Sequence, residues 1–311
     1  MSKEDSELEI GTKKTIEARG IRIGRYIGSG SYSKVYCAVN PEKMEIALKV
    51  IEMKAKSDYI QRFLPREVEI VRRLNHPNIA RIYKVYFLEG PKVTVFEGEF
   101  CANGDLLDRI KRNKQLTEVE ARPFFRQLIE AMKYLEAHDI VHRDLKCENV
   151  FLDRFDNVKL GDFGFSRVLK KGEKSDTFCG SKIYVAPEIL RGQKYGGNAV
   201  DIWSMGIVLY IMVTGVMPYD EGNLQKMVER QMTHMVRYPS APRLSSAVRQ
   251  LILGILHPDP GNRLDYNEMI TSEWLKETPY KMSNEKTGNN GTPAVQFVQP
   301  KFRMLKDAPL C

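Results

Sequence analysis

Strand-like patterns dominate the first third of the chain, and helical spacing dominates the remainder. From about 19 to 98, short runs rich in β-branched and aromatic residues are bounded by turn residues, which predicts strands. The segment "LPREVEIVRRLNH" differs, because Pro65 suits a first helical turn and Val68, Val71 and Leu74 can share one face. The pattern predicts a β-rich part that contains one helix.

Helices are predicted from about 104 to 275. Thr117 and Glu120 have the spacing of a capping box, and Pro123 a few residues later is expected to kink that helix or remove a hydrogen bond. "NVFLDRFDNVKL" predicts two short strands around an Asp-Asn turn. The most apolar run, at 205–217, is too short to span a bilayer and predicts a buried helix.

The composition is that of an ordinary globular protein, with 42% hydrophobic and 28% charged residues. The net charge of +8 is spread along the chain, which favours phosphate-bearing partners without indicating nucleic acid. Five cysteines without paired C-x-x-C spacing favour a reducing compartment. Since secretory and lipidation signals are absent, we expect a cytoplasmic protein with no membrane partner. We further expect a monomer, with an N-terminal extension at 1–18 and a flexible tail at 276–311.

The stretch "RYIGSGSYSKVY" resembles a glycine-rich phosphate loop in which one glycine is missing. The pattern G-x-G-x-x-G-x-V falls on Gly28, Gly30, Ser33 and Val35. A second strand comes after the loop, whereas a dinucleotide site needs a helix there, so the loop is expected at the tip of a hairpin above phosphates. The two glycines are expected to supply positive backbone dihedrals and close approach.

A lysine and a glutamate are predicted to complete the phosphate site. Lys49 lies on an inferred strand, and a carboxylate on the inferred helix would hold it as a fixed charge for the α- and β-phosphates. Glu67 is the expected partner, and Glu69 is the nearby competitor. The alternative is an ordinary surface lysine.

The segment "IVHRDLKCENVFL" and the later "GDFG" carry the most specific signal. Asp144 can orient a substrate hydroxyl and accept its proton, while Lys146 stabilises the γ-phosphate. Asn149 and Asp162 supply the hard oxygen ligands that Mg²⁺ prefers. Each acid alone could be a helix cap, but the ordered set makes that interpretation improbable.

The glycine-rich loop, Lys49, the H-R-D segment with Asn149 and the D-F-G triplet are followed by the A-P-E triplet at 186–188, "DIWSMG" and Arg263. This ordered set of motifs resembles the eukaryotic protein kinases over residues 19 to 275. "KCEN" follows the serine/threonine pattern. "FLPREVEI", "GDLLDRI", "SDTFCGS" and "MPYD" look like the testis-specific serine/threonine kinases of the calmodulin-dependent-kinase-like group. The resemblance implies an α+β, two-lobed fold with an N-lobe at about 19–98 and a C-lobe at about 104–275. It also implies ATP- and Mg²⁺-dependent phosphorylation of protein serines and threonines, and a role in male germ cells.

The resemblance further implies which residues bind the nucleotide. They are Ile27, Gly28, Ser29, Gly30, Ser31, Tyr32, Ser33, Lys34, Val35, Ala47, Lys49, Glu67, the hinge residues Glu99 and Cys101, and Phe151 beneath the adenine. Two departures accompany this set. Ser33 replaces a glycine, and Gly98 stands where the family usually has a larger side chain, so the adenine pocket is expected to be roomy. Glu97 is unexpected in a strand that should be mostly apolar.

Regulatory and substrate-selecting residues are implied in the same way. Thr177 is the expected activation-loop phosphorylation site, and Arg143 and Arg167 would bind its phosphate, which an upstream activating kinase could add. Asp105 and Glu148 would select arginine three residues before the acceptor, and Ser181 would position the acceptor. The alternatives are that Thr177 is an unmodified threonine, that Asp105 is only an acid at the start of a helix, and that Glu148 is a solvated glutamate.

A second function class is compatible with the same fold. A pseudokinase or scaffold would use the fold to present a binding surface without efficient phosphoryl transfer. Scaffolds commonly lose at least one of the residues that correspond to Lys49, Asp144, Asn149 and Asp162, and this chain retains all four. A nucleotide-binding dehydrogenase, a third class, is excluded by the order of the strands. We therefore expect a working kinase.

Overall fold

The computed structural model describes residues 7–30, 32–53, 59–90, 92–177, 179–220 and 222–283, and the strand Gln296–Phe297. The chain divides into two compact units. The first falls within residues 1–60, 82–100 and 290–311, and the second within residues 61–81 and 101–289. The segment 61–81 lies inside the predicted N-lobe range, yet its helix packs on a strand of the second unit.

A six-stranded sheet forms the body of the first unit. Its strands are β1 (Arg22–Gly30), β2 (Ser33–Val39), β3 (Glu45–Glu52), β4 (Ile82–Leu88), β5 (Val93–Glu99) and β10 (Gln296–Phe297). Their order is β1-β2-β3-β5-β4-β10, and all neighbours are antiparallel except β10 and β4. The sequence pattern therefore predicted the β-rich part correctly.

One face of this sheet is buried against an N-terminal helix, α1 (Ile10–Glu17). Buried residues alternate from Tyr36 to Ala38 in β2 and from Ile46 to Val50 in β3, as the two-residue repeat of a half-covered strand requires. Ile16 of the helix is 1% exposed and belongs to the same apolar cluster. Part of the predicted N-terminal extension is thus packed onto the first unit.

The buried Glu97 is accommodated by two neutral donors. Asn40 Nδ2 donates to its Oε1 at 3.1 Å, and the Tyr86 hydroxyl donates to its Oε2 at 2.6 Å. Burial raises the pKa of Tyr86, and the hydrogen bond to Glu97 raises it further. Because its oxygens are satisfied, a carboxyl group can lie in this otherwise apolar strand.

Helices are the main regular elements of the second unit, as the sequence predicted. They are α2 (Leu64–Val71), α3 (Leu106–Asn113), α4 (Glu118–Ala137), α5 (Pro187–Leu190), α6 (Ala199–Thr214), α7 (Leu224–Met232), α8 (Ser246–Ile255) and α9 (Tyr266–Thr271). Two short antiparallel pairs accompany them. Strand β6 (Ile140–Val141) pairs with β9 (Arg167–Val168), and β7 (Val150–Leu152) pairs with β8 (Val158–Leu160).

Local signals set the limits of the longest helices. Thr117 and Glu120 form the predicted capping box at the start of α4, and the helix continues through Pro123 to Ala137. The apolar run forms α6, which is buried along nearly its whole length and ends at Gly215 with φ 72°. A Cβ on Gly215 would lie 1.9 Å from the Lys114 carbonyl oxygen, so only glycine fits there.

The predicted tail at 276–311 is described only up to 283 and at Gln296–Phe297. Residues 280–283 are hydrogen-bonded to buried amides of the second unit, which differs from the flexibility that the composition suggested. The pattern could not reveal this, because backbone groups of the segment make most of the hydrogen bonds. The rest of the predicted tail lies outside the described residues.

Glu118, the first residue of α4, connects this helix to two other parts of the second unit. Its carboxylate accepts hydrogen bonds from the N–H and hydroxyl of Ser245, both at 2.7 Å, and from Trp274 Nε1 at 2.8 Å. Burial alone would raise the pKa of Glu118, but these hydrogen bonds and the nearby Arg122 lower it below its ordinary value. The ionised form therefore stabilises the fold.

We predict that Glu118→Gln lowers the free energy of unfolding by about 2 kcal/mol at pH 7. Because the folded-state pKa is depressed, this contribution is present above the ordinary value of 4.5 and disappears as the pH falls through the folded pKa. Denaturation at several pH values measures it. Glu136→Gln, an exposed change on the same helix, should cost less than about 0.5 kcal/mol. A difference between Glu118→Gln and wild type that persists unchanged in acid would contradict the assignment.

Candidate active site

A buried carboxylate fixes the loop that comes after β6. Asp201 on α6 is 1% exposed, and it accepts the backbone N–H groups of His142 at 2.7 Å and Arg143 at 2.8 Å. Burial raises the pKa of Asp201, and these two donors oppose the rise. The loop backbone is therefore anchored immediately before Asp144.

The loop is also tied to the strand pair beside it. His142 is fully buried, its Nε2 lies 3.0 Å from the Gly161 carbonyl oxygen, and its ring packs edge-on against Phe163. Arg143 has φ 67°, a left-handed conformation that is uncommon for a side chain other than glycine. Such strain at a position held on several sides is typical of functional loops.

Three of the predicted site residues meet at the Asp144 carboxylate. Lys146 Nζ donates to Oδ2 at 2.9 Å, and Asn149 Nδ2 donates to the same oxygen at 3.2 Å. The backbone N–H and the hydroxyl of Ser181 reach Oδ1 at 3.1 and 3.4 Å. The structure thus brings Asp144, Lys146, Asn149 and Ser181 together.

Ser181 shows what this cluster can hold. Its hydroxyl lies 3.4 Å from Asp144 Oδ1 and 3.2 Å from Lys146 Nζ, between a carboxylate and an ammonium group. A hydroxyl in such a place can pass its proton to the carboxylate while the cation faces the group being attacked. The arrangement suits activation of an alcohol.

Asn149 and Asp162 fit the requirements of a magnesium site. The Asn149 amide nitrogen donates to the carbonyl and carboxylate oxygens of Asp144. The amide oxygen is therefore the Asn149 atom that can bind a cation. Asp162 is exposed with φ 54°, directly after Gly161, whose N–H donates to the Asn149 carbonyl at 2.9 Å. An amide and a carboxylate oxygen are donors that Mg²⁺ accepts.

The residues from Asp162 to the A-P-E triplet are called here the activation segment. Basic side chains surround this segment near Thr177. Arg143 Nη1 and Arg167 Nη1 each lie 3.5 Å from Ser175 Oγ, and the Thr177 N–H donates to that same oxygen at 3.3 Å. The Tyr195 hydroxyl donates to the Thr177 carbonyl at 3.0 Å. Among the described residues, no group accepts a hydrogen bond from Arg143 Nη2, which is buried. The site therefore has cationic donors available for an anion.

Arg66 belongs to this basic group and was missed by sequence reasoning. Burial lowers its pKa, and the nearby charges of Arg167, Arg143 and Arg62 lower it further. Arg62 and Arg66 are four residues apart at the start of the α2 region, which places them on one side. That spacing was visible in the sequence, but nothing in it connected α2 with the activation segment.

The two acids predicted to select substrate lie close enough to interact. Asp105 caps α3 by accepting the Asp108 N–H at 2.8 Å. Burial raises its pKa, and the charges of Asp108 and Glu148 raise it further. Tyr184 donates to Glu148 Oε2 at 3.4 Å. The pair forms a half-buried acidic site on the second unit.

In the first unit, the predicted nucleotide residues share a sheet face. Val35 pairs with Lys49 across β2 and β3, and Ala47 pairs with Gly98 across β3 and β5. Val35, Ala47 and Lys49 are half-buried and alternate with the residues that face α1. Glu99 ends β5. The face opposite α1 is thus the one available to a ligand.

The glycine-rich loop is a hairpin, as predicted, but its glycines do not use the expected conformation. Gly28 pairs with Val35, Ser29 with Lys34, and Gly30 with Ser33. Neither glycine has a positive φ, so the expectation of positive dihedrals was wrong. Both continue β1, and a Cβ on Gly28 would meet nothing within 4 Å.

Other nucleotide residues have distinct settings. Ile27 lies at an irregularity of the β1–β2 register and is 38% exposed, and Tyr32 at the loop tip is 47% exposed. A bulge of this kind redirects a side chain. Ser31 lies outside the described residues.

The remaining nucleotide candidates belong to the second unit. Phe151 lies on β7 beside Gly161, where a Cβ would come within 2.7 Å of its ring. Glu67 is 3% exposed on α2, and Cys101 is half-buried. Since Lys49 belongs to the first unit, its pairing with Glu67 stays a prediction.

The A-P-E glutamate and the late arginine form a buried ion pair. Arg263 Nη1 and Nη2 donate to Glu188 Oε1 and Oε2 at 2.8 and 2.7 Å. Arg263 also donates to the carbonyl groups of His257 and Ala199, both at 2.8 Å, so the buried cation is well satisfied. This contact fixes the end of the activation segment to the helices behind it.

Comparison with known families agrees with this geometry. The protein kinase domain model matches residues 21–275. The chain therefore belongs to the protein kinase family, and the predicted family and fold class are confirmed.

Three curated relatives indicate the class within the family. Testis-specific serine/threonine-protein kinase 1 of Mus musculus is 41% identical over 283 residues, which are 89% of this chain and 77% of that protein. Testis-specific serine/threonine-protein kinase 3 of Homo sapiens is 39% identical over 265 residues, 84% of this chain and 98% of that protein. Serine/threonine-protein kinase SIK2 of Gallus gallus is 36% identical over 279 residues, 88% of this chain and 34% of that protein. The predicted class of protein serine/threonine kinase is confirmed.

The structure also bears on membranes and thiols. Within the described ranges, no helix is both long and apolar enough to cross a membrane. Cys37, Cys101, Cys147 and Cys179 are free cysteines. Burial raises the pKa of Cys147 and Cys179, so neither is an activated thiolate.

Proposed function

We propose that this chain transfers the γ-phosphate of ATP to serine or threonine hydroxyls of protein substrates in a Mg²⁺-dependent reaction. The observation that carries the proposal is the set of hydrogen bonds that joins Asp144 to Lys146, Asn149 and Ser181. Retention of Lys49, Asp144, Asn149 and Asp162 argues against the scaffold alternative.

Each residue has a role that its surroundings support. Asp144 orients the acceptor hydroxyl and takes its proton as its oxygen bonds to the γ-phosphorus of ATP; the bond from that phosphorus to the β,γ-bridging oxygen breaks, and ADP leaves. Lys146 offsets negative charge on the transferred group. Asn149 and Asp162 would hold the magnesium, which when bound neutralises phosphate charge. Lys49, held by Glu67, would contact the α- and β-phosphates, and Ile27, Val35, Ala47 and Phe151 would enclose the adenine.

The activation segment supplies a regulatory site within this proposal. A phosphate on Thr177 would add nearly two negative charges beside Arg143 and Arg167, and Arg66 would join them. The buried Arg143 Nη2 would gain an acceptor. An upstream kinase or the chain itself would add this phosphate.

The proposed substrates and setting rest on the acidic pair and on the relatives. Asp105 and Glu148 would bind an arginine three residues before the acceptor. We propose a role in male germ-cell development, because two of the relatives are named testis-specific. We also propose that the protein is a cytoplasmic monomer, as expected from the sequence.

We predict that Asp144→Asn reduces phosphate transfer by about 10²- to 10⁴-fold, because an amide cannot accept the hydroxyl proton. Purified protein, magnesium, labelled ATP and an arginine-containing serine peptide measure the transfer. An unchanged melting temperature and unchanged nucleotide binding in the variant would show that the fold is kept. Wild-type transfer by the variant would exclude Asp144 as the base.

Thr177→Ala should lower kcat by about 10- to 100-fold relative to protein phosphorylated at Thr177, since the arginines then lack their anion. Thr177→Ser is the matched control, because it keeps a hydroxyl that can be phosphorylated. Mass spectrometry establishes the modification in each sample. Full activity of Thr177→Ala would rule out the switch.

We expect Asp105→Asn and Glu148→Gln each to reduce kcat/KM about fivefold for a peptide with arginine three residues before the acceptor. Asparagine is also a good helix cap, so α3 should be kept. The ratio between that peptide and its alanine counterpart is the readout. Asp108→Asn, an exposed acid in the same turn, is the control and should leave the ratio unchanged. An unchanged ratio in Asp105→Asn and Glu148→Gln would refute the assignment.

A further inference from the structure

Three buried amide side chains in the second unit bind a segment located beyond the kinase domain. Asn78, Gln127 and Asn157 are 0%, 3% and 0% exposed. The family match ends at residue 275, yet all three amides are bonded to residues 280–283, called here the docking segment. Buried amides are costly when their hydrogen bonds are unmade, so this segment completes the fold of the unit.

The first contacts of the docking segment involve Asn78. The Tyr280 hydroxyl donates to Asn78 Oδ1 at 2.9 Å, and Asn78 Nδ2 lies 3.3 Å from Met282 Sδ. The guanidinium of Arg126 lies 5.8 Å from the centre of the Tyr280 ring. Both ends of the Asn78 amide are therefore in use at the docking segment.

The other two amides bind the backbone of the docking segment. Gln127 Nε2 donates to the Lys281 carbonyl at 2.7 Å. Asn157 makes a reciprocal pair with Ser283: it accepts the Ser283 N–H at 2.7 Å and donates to the Ser283 carbonyl at 3.1 Å. Backbone recognition of this kind explains why no sequence motif marked the segment.

Two of these amides, Asn78 and Gln127, also hold β8. Val158 N–H donates to Gln127 Oε1 at 2.7 Å, and Asn78 Nδ2 donates to the Val158 carbonyl at 2.9 Å. Leu160 is held by the backbone of Asn78 and Ala80, each at 2.8 Å. The docking segment and β8 thus share one hydrogen-bond network.

Strand β8 leads directly to the predicted metal ligand. After Leu160, the Gly161 N–H donates to Asn149 and its carbonyl is bound by His142, and Asp162 is the next residue. Gly161 is thus anchored by Asn149 and His142. A shift of β8 would therefore change the direction in which the Asp162 carboxylate points from this anchored glycine. Small displacements of such a ligand are costly in phosphoryl transfer.

We propose that the docking segment is a positioning element of the kinase: bound to Asn78, Gln127 and Asn157, it holds β8 and thereby orients Asp162. The inference rests on the proposed function, in which Asp162 binds Mg²⁺. Loss of the segment removes at least one hydrogen-bond partner from each amide, and their rearrangement loosens β8. Residues beyond the family match thus become part of the catalytic unit.

The test uses the full chain with the double change Tyr280→Phe and Ser283→Pro, which removes the hydroxyl donor to Asn78 and the N–H donor to Asn157. Lys281→Ala is the matched control, because that exposed residue contributes its backbone carbonyl. Amide hydrogen exchange at Val158–Leu160 and Gly161 is measured first. Calorimetry then measures binding of a non-hydrolysable ATP analogue with and without Mg²⁺.

In the double variant, the amide hydrogens of Leu160 and Gly161 should exchange faster than in wild type. The gain in nucleotide affinity that Mg²⁺ provides should fall about tenfold. Metal-free affinity should stay unchanged, and Lys281→Ala should match wild type. A lower melting temperature with normal exchange and a normal Mg²⁺ gain would overturn the proposal, and so would a variant with higher activity than wild type. If wild type itself gains nothing from Mg²⁺, the proposed metal role fails, and hydrogen exchange alone decides whether the segment holds β8.

Discussion

The contact between Asp201 and the backbone of His142 and Arg143 is the constraint on which the catalytic centre depends. Two neighbouring N–H groups share the two oxygens of one buried carboxylate, so the loop has little freedom at that point. The buried helix α6 carries the carboxylate, and a packed core is a rigid support. The fold thereby places Asp144 before any substrate arrives, and preorganisation of this kind is the main requirement of phosphoryl transfer.

Satisfied polar groups organise the rest of the second unit in the same manner. Glu188 and Arg263 close the activation segment, and the amides of Asn78 and Gln127 hold β8. Each group is buried and costly to leave without partners, so each restricts its neighbours to one arrangement. In the first unit, the sheet gives one face to the core with α1 and leaves the other to the predicted nucleotide residues. An altered glycine loop is compatible with this design, because the groups proposed to act on phosphate and metal lie on separately anchored elements.

Motif spacing singled out Asp144, Lys146 and Asn149, which are close in the chain, whereas Ser181 joins them from 37 positions away. Helical periodicity located α2, the capping box located the start of α4, and a continuous apolar run located α6. These patterns failed where tertiary contacts decide: Glu97 is accommodated by Asn40 and Tyr86, and Arg66 joins Arg143 only through the packing of α2. The positive φ expected at Gly28 and Gly30 was wrong because both residues continue a paired strand. Residues 280–283 were assigned to a flexible tail because the stretch that they begin has Gly, Asn and Pro without apolar periodicity, and such a pattern cannot show backbone hydrogen bonds.

The most direct test is the single-turnover rate of phosphate transfer by Asp201→Asn, measured with saturating ATP and peptide. Asparagine keeps the size of the side chain but turns an amide donor toward one of the two loop N–H groups. The account predicts a folded protein whose transfer rate falls at least about 100-fold while nucleotide affinity changes little, because Asp144 is misplaced. A wild-type rate from the folded variant would show that the loop holds its geometry without this contact, and the central claim would be wrong.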